Sequence, residues 1–220
     1  MTQAPFYLEE INSLCGVRAD FVGRISGVAV DTDREATVNR LQPAHEGAVS
    51  QLGFSWDDLH RAEQTHGTDI AFVKKDSTAQ TWPEVDGLIT QDTGILLGIY
   101  VADCGAVYIV DPVKHVIALL HSGKKGTEGN ITGKAITMMQ EQYGSQPSDL
   151  HVVLAPCIRP PAYEVDFASQ IREQALAAGV PDSQYTDSAI CTTSELSSFY
   201  SYRQEKGSTG RMLALLGLIE

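Results

Sequence analysis

Cysteine is scarce in this sequence and nowhere paired. Its four cysteines, Cys15, Cys104, Cys157 and Cys191, are dispersed with no C-x-x-C spacing. That excludes a zinc ribbon and a thioredoxin-type dithiol. Positive charge is also short: 16 Lys and Arg face 28 Asp and Glu, a formal net charge of −12. Such a chain is poorly suited to gripping DNA or an anionic membrane through its overall field, although a local basic pocket stays open to it. Long apolar runs are missing too. The longest, from about Gly94 to Ala102, is far too short to span a bilayer. Met1 to Gly16 has no basic n-region and no apolar h-region, and Glu9 and Glu10 interrupt it. The expectation is therefore no signal peptide and a cytoplasmic protein, where two disulfides are not expected.

What is present is ordinary for a globular chain: 220 residues, 43% hydrophobic, 20% charged, with 19 Gly and 9 Pro. One large domain over 1–220 is the simplest organisation. No internal repeat or linker interrupts it. Val38 to Leu52 has weak helical patterning with Pro43 inside. Asp69 to Val73 reads as a strand, and Val85 to Thr90 as a turn into a short one. Ile95 to Ala102 is nearly continuously apolar, which fits a buried strand, and Ala106 to Val110 and Val116 to Leu120 read likewise. Glu128 to Tyr143 has helical spacing at Ile131, Ala135, Met138 and Met139, with Gly144 and Pro147 as stop signals. His151 to Leu154 reads as a strand and Asp166 to Ala178 as a helix ended by Gly179. Phe199 to Tyr202 and Met212 to Leu218 are candidate closing strands. Helices and strands do not alternate regularly. The expected class is α+β, with mixed, largely antiparallel sheets forming a sandwich-like core flanked by helices.

Three segments carry candidate chemistry: Gln64-Thr65-His66-Gly67, Ala102-Asp103-Cys104 and His121-Ser122-Gly123-Lys124-Lys125-Gly126. His66, Cys104 and His121 each fall at a strand edge or a glycine turn, where rigid strands present functional loops. Two imidazoles and a thiolate suit zinc, and three protein ligands with a fourth position open is the catalytic pattern. By spacing alone, the same residues read equally as a core thiol and two satisfied loop histidines, the commoner fate of such residues. Lys124 and Lys125, placed just before the expected helix, fit either an anion site or an exposed solvated pair. Asp103 fits either a group orienting a ligand or a turn cap. Gly129 to Lys134 is one residue short of a P-loop and is rejected as one.

The order of short motifs adds to this. Gln64-Thr65-His66-Gly67 is followed by Asp86-Gly87-Leu88-Ile89-Thr90, Ala102-Asp103-Cys104, His121-Ser122-Gly123-Lys124-Lys125-Gly126 and Tyr163-Glu164-Val165. Cys191-Thr192, Ser201-Tyr202-Arg203 and Thr209-Gly210-Arg211 close the series, and Phe21-Val22-Gly23-Arg24 and Val38-Asn39-Arg40 open it. In this order the chain resembles the bacterial peptidoglycan editing factor family, also labelled polyphenol oxidase or laccase-domain proteins, over most of its length. The resemblance implies one zinc ion per chain, held by His66, Cys104 and His121. It implies phosphorolysis of purine nucleosides (adenosine, inosine, guanosine or methylthioadenosine) with phosphate as co-substrate, and in some members deamination of adenosine. On that reading Lys125 and Cys104 are catalytic, and Arg24, Lys124 and Arg203 bind substrate. The partner is a small-molecule nucleoside, not a nucleic acid or a membrane. The resemblance gives no oligomeric state. Multicopper chemistry is a poor fit, because six histidines with no H-x-H pair do not supply several coppers.

The chain departs from the family pattern at four places. Lys124-Lys125 replaces a usual Trp-Arg, a change from a bidentate fork to point charges. Gly105-Ala106-Val107 stands where the family has x-Pro-Val after its A-D-C. About a dozen residues of an S-L-N-L-G loop are missing between Gly27 and Asp31, a kind of deletion that loops tolerate. Ala155-Pro156 replaces a usual Gly-Pro. Two other readings stand beside the zinc enzyme. One is a metal-free cysteine hydrolase or amidase with Cys104 as nucleophile and His121 as base, since the family fold resembles that of a toxin deamidase domain using Cys and His. The other is a non-catalytic relic of the family.

Overall fold

The structure, a computed structural model, describes residues 5–78 and 80–220. The first four residues of the acidic opening segment lie outside it. The described elements, in chain order, begin with α1 (Glu9–Ser13), β1 (Val17–Val22), α2 (Arg34–Gln51), β2 (Leu59–Ala62), β3 (Ile70–Phe72) and β4 (Thr81–Trp82). The central strands β5 (Gly87–Thr90), β6 (Ile95–Val101), β7 (Gly105–Asp111) and β8 (Val116–Ser122) follow. The chain continues with α3 (Lys124–Glu128), α4 (Ile131–Tyr143), β9 (His151–Leu154), α5 (Phe167–Ala177), β10 (Tyr185–Asp187) and β11 (Met212–Leu218).

The strands form two mixed sheets, as the α+β expectation has it. The first runs β1-β11-β6-β2-β4 and the second β10-β9-β7-β8-β5-β3. Their centres are antiparallel: Met212 pairs with Val101 in the first sheet, and Gly105 pairs with Ser122 in the second. Parallel pairings, such as β2 with β6 and β3 with β5, extend the edges. Alternate side chains from both sheets meet between them. Leu97 and Ile99 of β6, Ala214 and Leu216 of β11, and Tyr108 and Leu119 of the second sheet share one cluster. The outward faces are covered as well. Val49 of α2 packs with Leu96 and Leu215 on the first sheet, and Ile136 of α4 and Ile171 of α5 pack with Val107 and Ala118 on the second. Four layers result, helix, sheet, sheet, helices. Burial on both faces is why β6, β7 and β8 read as unbroken apolar runs although they are antiparallel.

The helices begin and end where local chemistry allows. Asp33 caps α2, its side chain accepting from the Ala36 amide at 3.0 Å. The helix starts a turn earlier than Val38, and its buried stripe is Thr37, Leu41, His45 and Val49. Two polar residues in that stripe explain the weak patterning. Asp166 caps α5 and Gly144, in the left-handed region, closes α4. Three local expectations are corrected. Phe199 to Tyr202 is not a strand; it lies in loop, with the Tyr200 hydroxyl bonded to the backbone of Ile25. The helix expected from Glu128 begins at Ile131, because Gly129 and Asn130 separate it from the short α3 that precedes it. Lys124 and Lys125 therefore sit inside a five-residue helix, not ahead of a long one. Among the described residues, no helix is long and apolar enough to cross a membrane.

Candidate functional site

The site lies at one end of the sandwich, where the chain changes sheets. The link from β2 to β3 crosses from the first sheet to the second and carries His66. Ala102-Asp103-Cys104, from β6 to β7, makes the same crossing. His121 lies near the end of β8 on the face shared with Ile117 and Leu119, toward the other sheet. The ligand atoms of His66, Cys104 and His121 lie within 4.8 Å of one another. Among the described residues this is the one group of three or more His, Cys, Asp and Glu placed to hold a metal. The two imidazole rings meet edge to face, 4.8 Å between centroids.

Asp86 organises the group. Its carboxylate is 0% exposed and receives five bonds. His121 Nδ1 lies 2.7 Å from Oδ1, and the His66 amide donates to the same oxygen at 2.9 Å. The Thr65 amide, the Thr65 hydroxyl and the Gly67 amide donate to Oδ2 at 3.1, 3.1 and 2.7 Å. One carboxylate thus fixes the His121 ring and the loop bearing His66. Burial pushes its pKa up, but the His121 ring and the amides of Gly67 and His66 outweigh that and hold it at about 2. With Nδ1 on Asp86, the other ring nitrogen, Nε2, is left free to ligate a metal, the carboxylate–histidine pattern common behind metal-binding imidazoles.

The thiol is prepared in the same way. Burial opposes ionisation of Cys104, yet His121 and His66 bring its pKa down, to about 6. Burial likewise opposes charge on His121, but Cys104 and Asp86 raise its pKa. Gly123 makes the fit possible: a Cβ there would stand 2.6 Å from Cys104 Sγ. Two imidazoles, one ionisable thiol and a carboxylate behind one imidazole fit a zinc ion with an open position. They do not fit a multicopper centre.

Strain and local bonding set the loops. Gln64 and His66 have φ of 68° and 64°, and Asp103 has 84°, conformations uncommon for residues with side chains. The Gln64 side chain spans the gap to β6, donating to the Tyr100 carbonyl at 2.5 Å and accepting its amide at 3.0 Å. Asp103 is 7% exposed and accepts from the Thr192 hydroxyl (2.6 Å), the Ser201 hydroxyl (3.0 Å) and the Arg203 amide (2.7 Å). It is more than a turn cap, because it ties the late segment 192–203 to the residue before Cys104.

A cleft of about 640 Å³ opens over His66, Cys104 and His121. That is in the range of small-molecule sites. Lys124, Lys125 and Arg203 line it, as do Arg34, Tyr100 and Arg211. Tyr163 and Tyr202 contribute aromatic surface, Tyr202 being 57% exposed. Arg203 pairs with Glu164 at 3.1 Å. Arg24 is elsewhere. It pairs with Glu205 at 2.7 Å, lies 4.2 Å over the Tyr200 ring, and is not among the cleft-lining residues. Asp86, Gln64, Arg34 and Arg211 were not singled out from the sequence. Asp86, Gln64 and Arg211 do stand inside the quoted motifs, which is the signal that marks them. Nothing local marks Arg34.

Comparison with known proteins identifies the family. A family model described as multi-copper polyphenol oxidoreductase laccase matches residues 25–170 and 164–219. The purine nucleoside phosphorylase YlmD of Geobacillus stearothermophilus is 33% identical, covering 91% of this chain and 85% of its own. A purine nucleoside phosphorylase of Deinococcus radiodurans is 32% identical, over 86% and 79% of the two chains. The crystal structure of YlmD from G. stearothermophilus superposes with a TM-score of 0.84 at 30% identity, covering 94% of this chain and 93% of that one. A Bacillus licheniformis protein, YfiH, gives 0.84 at 25% identity, over 96% and 94%. The chain belongs to this laccase-domain family, whose relatives named above include purine nucleoside phosphorylases.

Proposed function

We propose that this protein is a zinc-dependent purine nucleoside phosphorylase. The observation that carries the reading is the meeting of His66, Cys104 and His121 under a cleft whose wall presents Lys124 and Lys125. The relatives' names point to the same reaction class. His66, Cys104 and His121 would hold the zinc, which when bound supplies a Lewis acid and a fixed positive charge at the cleft floor.

The chain's own residues do the rest. Phosphorolysis joins a phosphate oxygen to the anomeric carbon of the ribose and breaks the bond to the purine nitrogen, the electron pair leaving with the base. Lys124 and Lys125 have no carboxylate partner among the described residues. They place unspent positive charge at the cleft wall for the incoming phosphate, catalysis by orientation and electrostatics. Lys125 stands where the family pattern has arginine and meets the phosphate as a point charge. Arg203, with Tyr163 and Tyr202, forms the side on which a nucleoside rests. Asp86 keeps the His121 ring oriented throughout.

Zinc per chain, measured by atomic spectroscopy on untagged protein, comes first. Near-stoichiometric zinc, with adenine and ribose 1-phosphate formed from adenosine only when phosphate is added, is the expected result. Ammonia released without phosphate would replace phosphorolysis by deamination. Metal-loaded protein that leaves every common purine nucleoside unchanged overturns the substrate assignment.

One arrangement favours a second reading. Asp86, His121 and Cys104 stand in the order of an orienting carboxylate, a base and a nucleophile, which suits a metal-free cysteine hydrolase. A thiol reagent that labels Cys104 stoichiometrically in the as-isolated protein would support it. Protection of Cys104 until zinc is stripped would exclude it.

A further inference from the structure

The cleft holds more unpaired positive charge than one phosphate needs. Lys124 and Lys125 follow β8, on the side of the second sheet. On the side of the first sheet stand Arg34, the first residue of α2, and Arg211, the residue before β11. Neither arginine has a carboxylate partner among the described residues. Arg211 donates to the carbonyls of Gly210 (2.8 Å) and Thr209 (3.3 Å), and Arg34 reaches the Glu63 carbonyl at 3.5 Å. The acidic groups around them are already engaged. Asp103 holds the 192–203 segment, Glu63 accepts the Glu84 amide at 2.8 Å, Asp33 caps α2, and Asp31 pairs with Arg40 at 2.6 Å. The two arginines are close enough that burial and the Arg34 charge together lower the pKa of Arg211.

Tyr100, 6% exposed, forms the wall beside them, its hydroxyl engaged by the Arg61 side chain. Two neighbouring guanidinium groups match the oxygens of a phosphate monoester, for which arginine forks are suited.

Phosphorolysis of a neutral nucleoside brings one dianion into the cleft, whereas two separate cation pairs accommodate two. We propose that Arg34 and Arg211 form a second anion subsite, which takes the 5′-phosphate of a nucleoside monophosphate while free phosphate lies on the lysine side. This rests on the phosphorylase reading for its chemistry. The C1′–N bond breaks with its electron pair going to the purine, an oxygen of free phosphate bonds C1′, and the proton of that phosphate passes to the base. The products are the free purine and ribose 1,5-bisphosphate.

The test is calorimetric titration of the zinc-loaded full chain with adenosine 5′-monophosphate, adenosine and inorganic phosphate separately. The monophosphate is expected to bind at least about tenfold more tightly than adenosine, the scale of one charge-assisted contact. In Arg34→Gln and in Arg211→Lys that ratio falls severalfold, with thermal melts establishing that each variant is folded. A ratio near one in the unaltered protein overturns the subsite. So does a ratio that neither variant changes. Weakened binding of inorganic phosphate, with the nucleotide ratio intact, assigns the arginines to the co-substrate and likewise overturns it. Tight binding of the monophosphate without phosphorolysis of either nucleoside or nucleotide would sink the phosphorylase reading and leave the subsite standing.

Discussion

Asp86 holds His121 by its ring and His66 by its backbone. The same carboxylate oxygen lies 2.7 Å from His121 Nδ1 and 2.9 Å from the His66 amide. Two of the three metal-ligand candidates are therefore positioned by a residue that is not itself one of them. Replacing it should loosen the centre without removing a ligand. Asp86→Asn is expected to lower zinc affinity about 10–100-fold, the usual scale for a partner behind a ligating histidine. Competition with a chromophoric chelator measures this, and unchanged zinc affinity would refute the assignment.

Gly123 packs against the Cys104 thiol with no room for a side chain. A methyl group there would stand 2.6 Å from Cys104 Sγ, so the sulfur or the backbone must move. Gly123→Ala should keep the fold, because its φ of −96° suits alanine, and should lose most bound zinc. The zinc-to-chain ratio, read beside the far-ultraviolet circular dichroism, checks both halves.

Asp103 anchors a long-range loop. Its three side-chain bonds reach Thr192, Ser201 and Arg203, about ninety to a hundred positions away. Asp103→Ala leaves buried hydroxyls without an acceptor and should cost about 3 kcal/mol, from lost bonds to a charged group. Urea unfolding gives the number. Protease cutting in 192–203 should increase in step.

His45 makes stability depend on pH. Burial, reinforced by the Arg61 charge, lowers its pKa from the ordinary 6.5 to about 4. The folded protein keeps the ring neutral where the unfolded chain would protonate it. The unfolded state therefore binds more protons between those two values, and stability falls as pH drops through that window. The contribution is complete above about pH 6.5 and is lost toward pH 4. Moving from pH 7 to pH 5 should cost about 2 kcal/mol from this residue. His45→Leu should remove that part of the slope, as paired urea titrations at the two pH values would report.

The parts of the fold that were legible in the sequence are those whose local chemistry matches their final environment. β6, β7 and β8 carry near-continuous apolar runs because helices cover the outer faces of both sheets. α4 and α5 were bounded by glycines that do end them. β1, Val17–Val22, has only alternate residues buried and carries no continuous apolar run, and β2 is four residues held by parallel pairing to distant β6. Phe199 to Tyr202 misled because aromatic residues serve a loop as well as a strand. Its Tyr200 is buried against the Arg24 end of the chain.

The same division holds for the site. The identities of His66, Cys104, His121, Lys124 and Lys125 were set by the sequence, and so was the order of the motifs that carry the family resemblance. Their convergence was not, because 55 positions separate the two histidines. It depends on two sheet crossings that end at the same edge of the sandwich. The exclusion of Arg24 from the cleft, the entry of Arg34 and Arg211, and the role of Asp86 were decided by tertiary structure alone. Each depends on which residues distant in sequence become neighbours, and only the paired strands fix that distance.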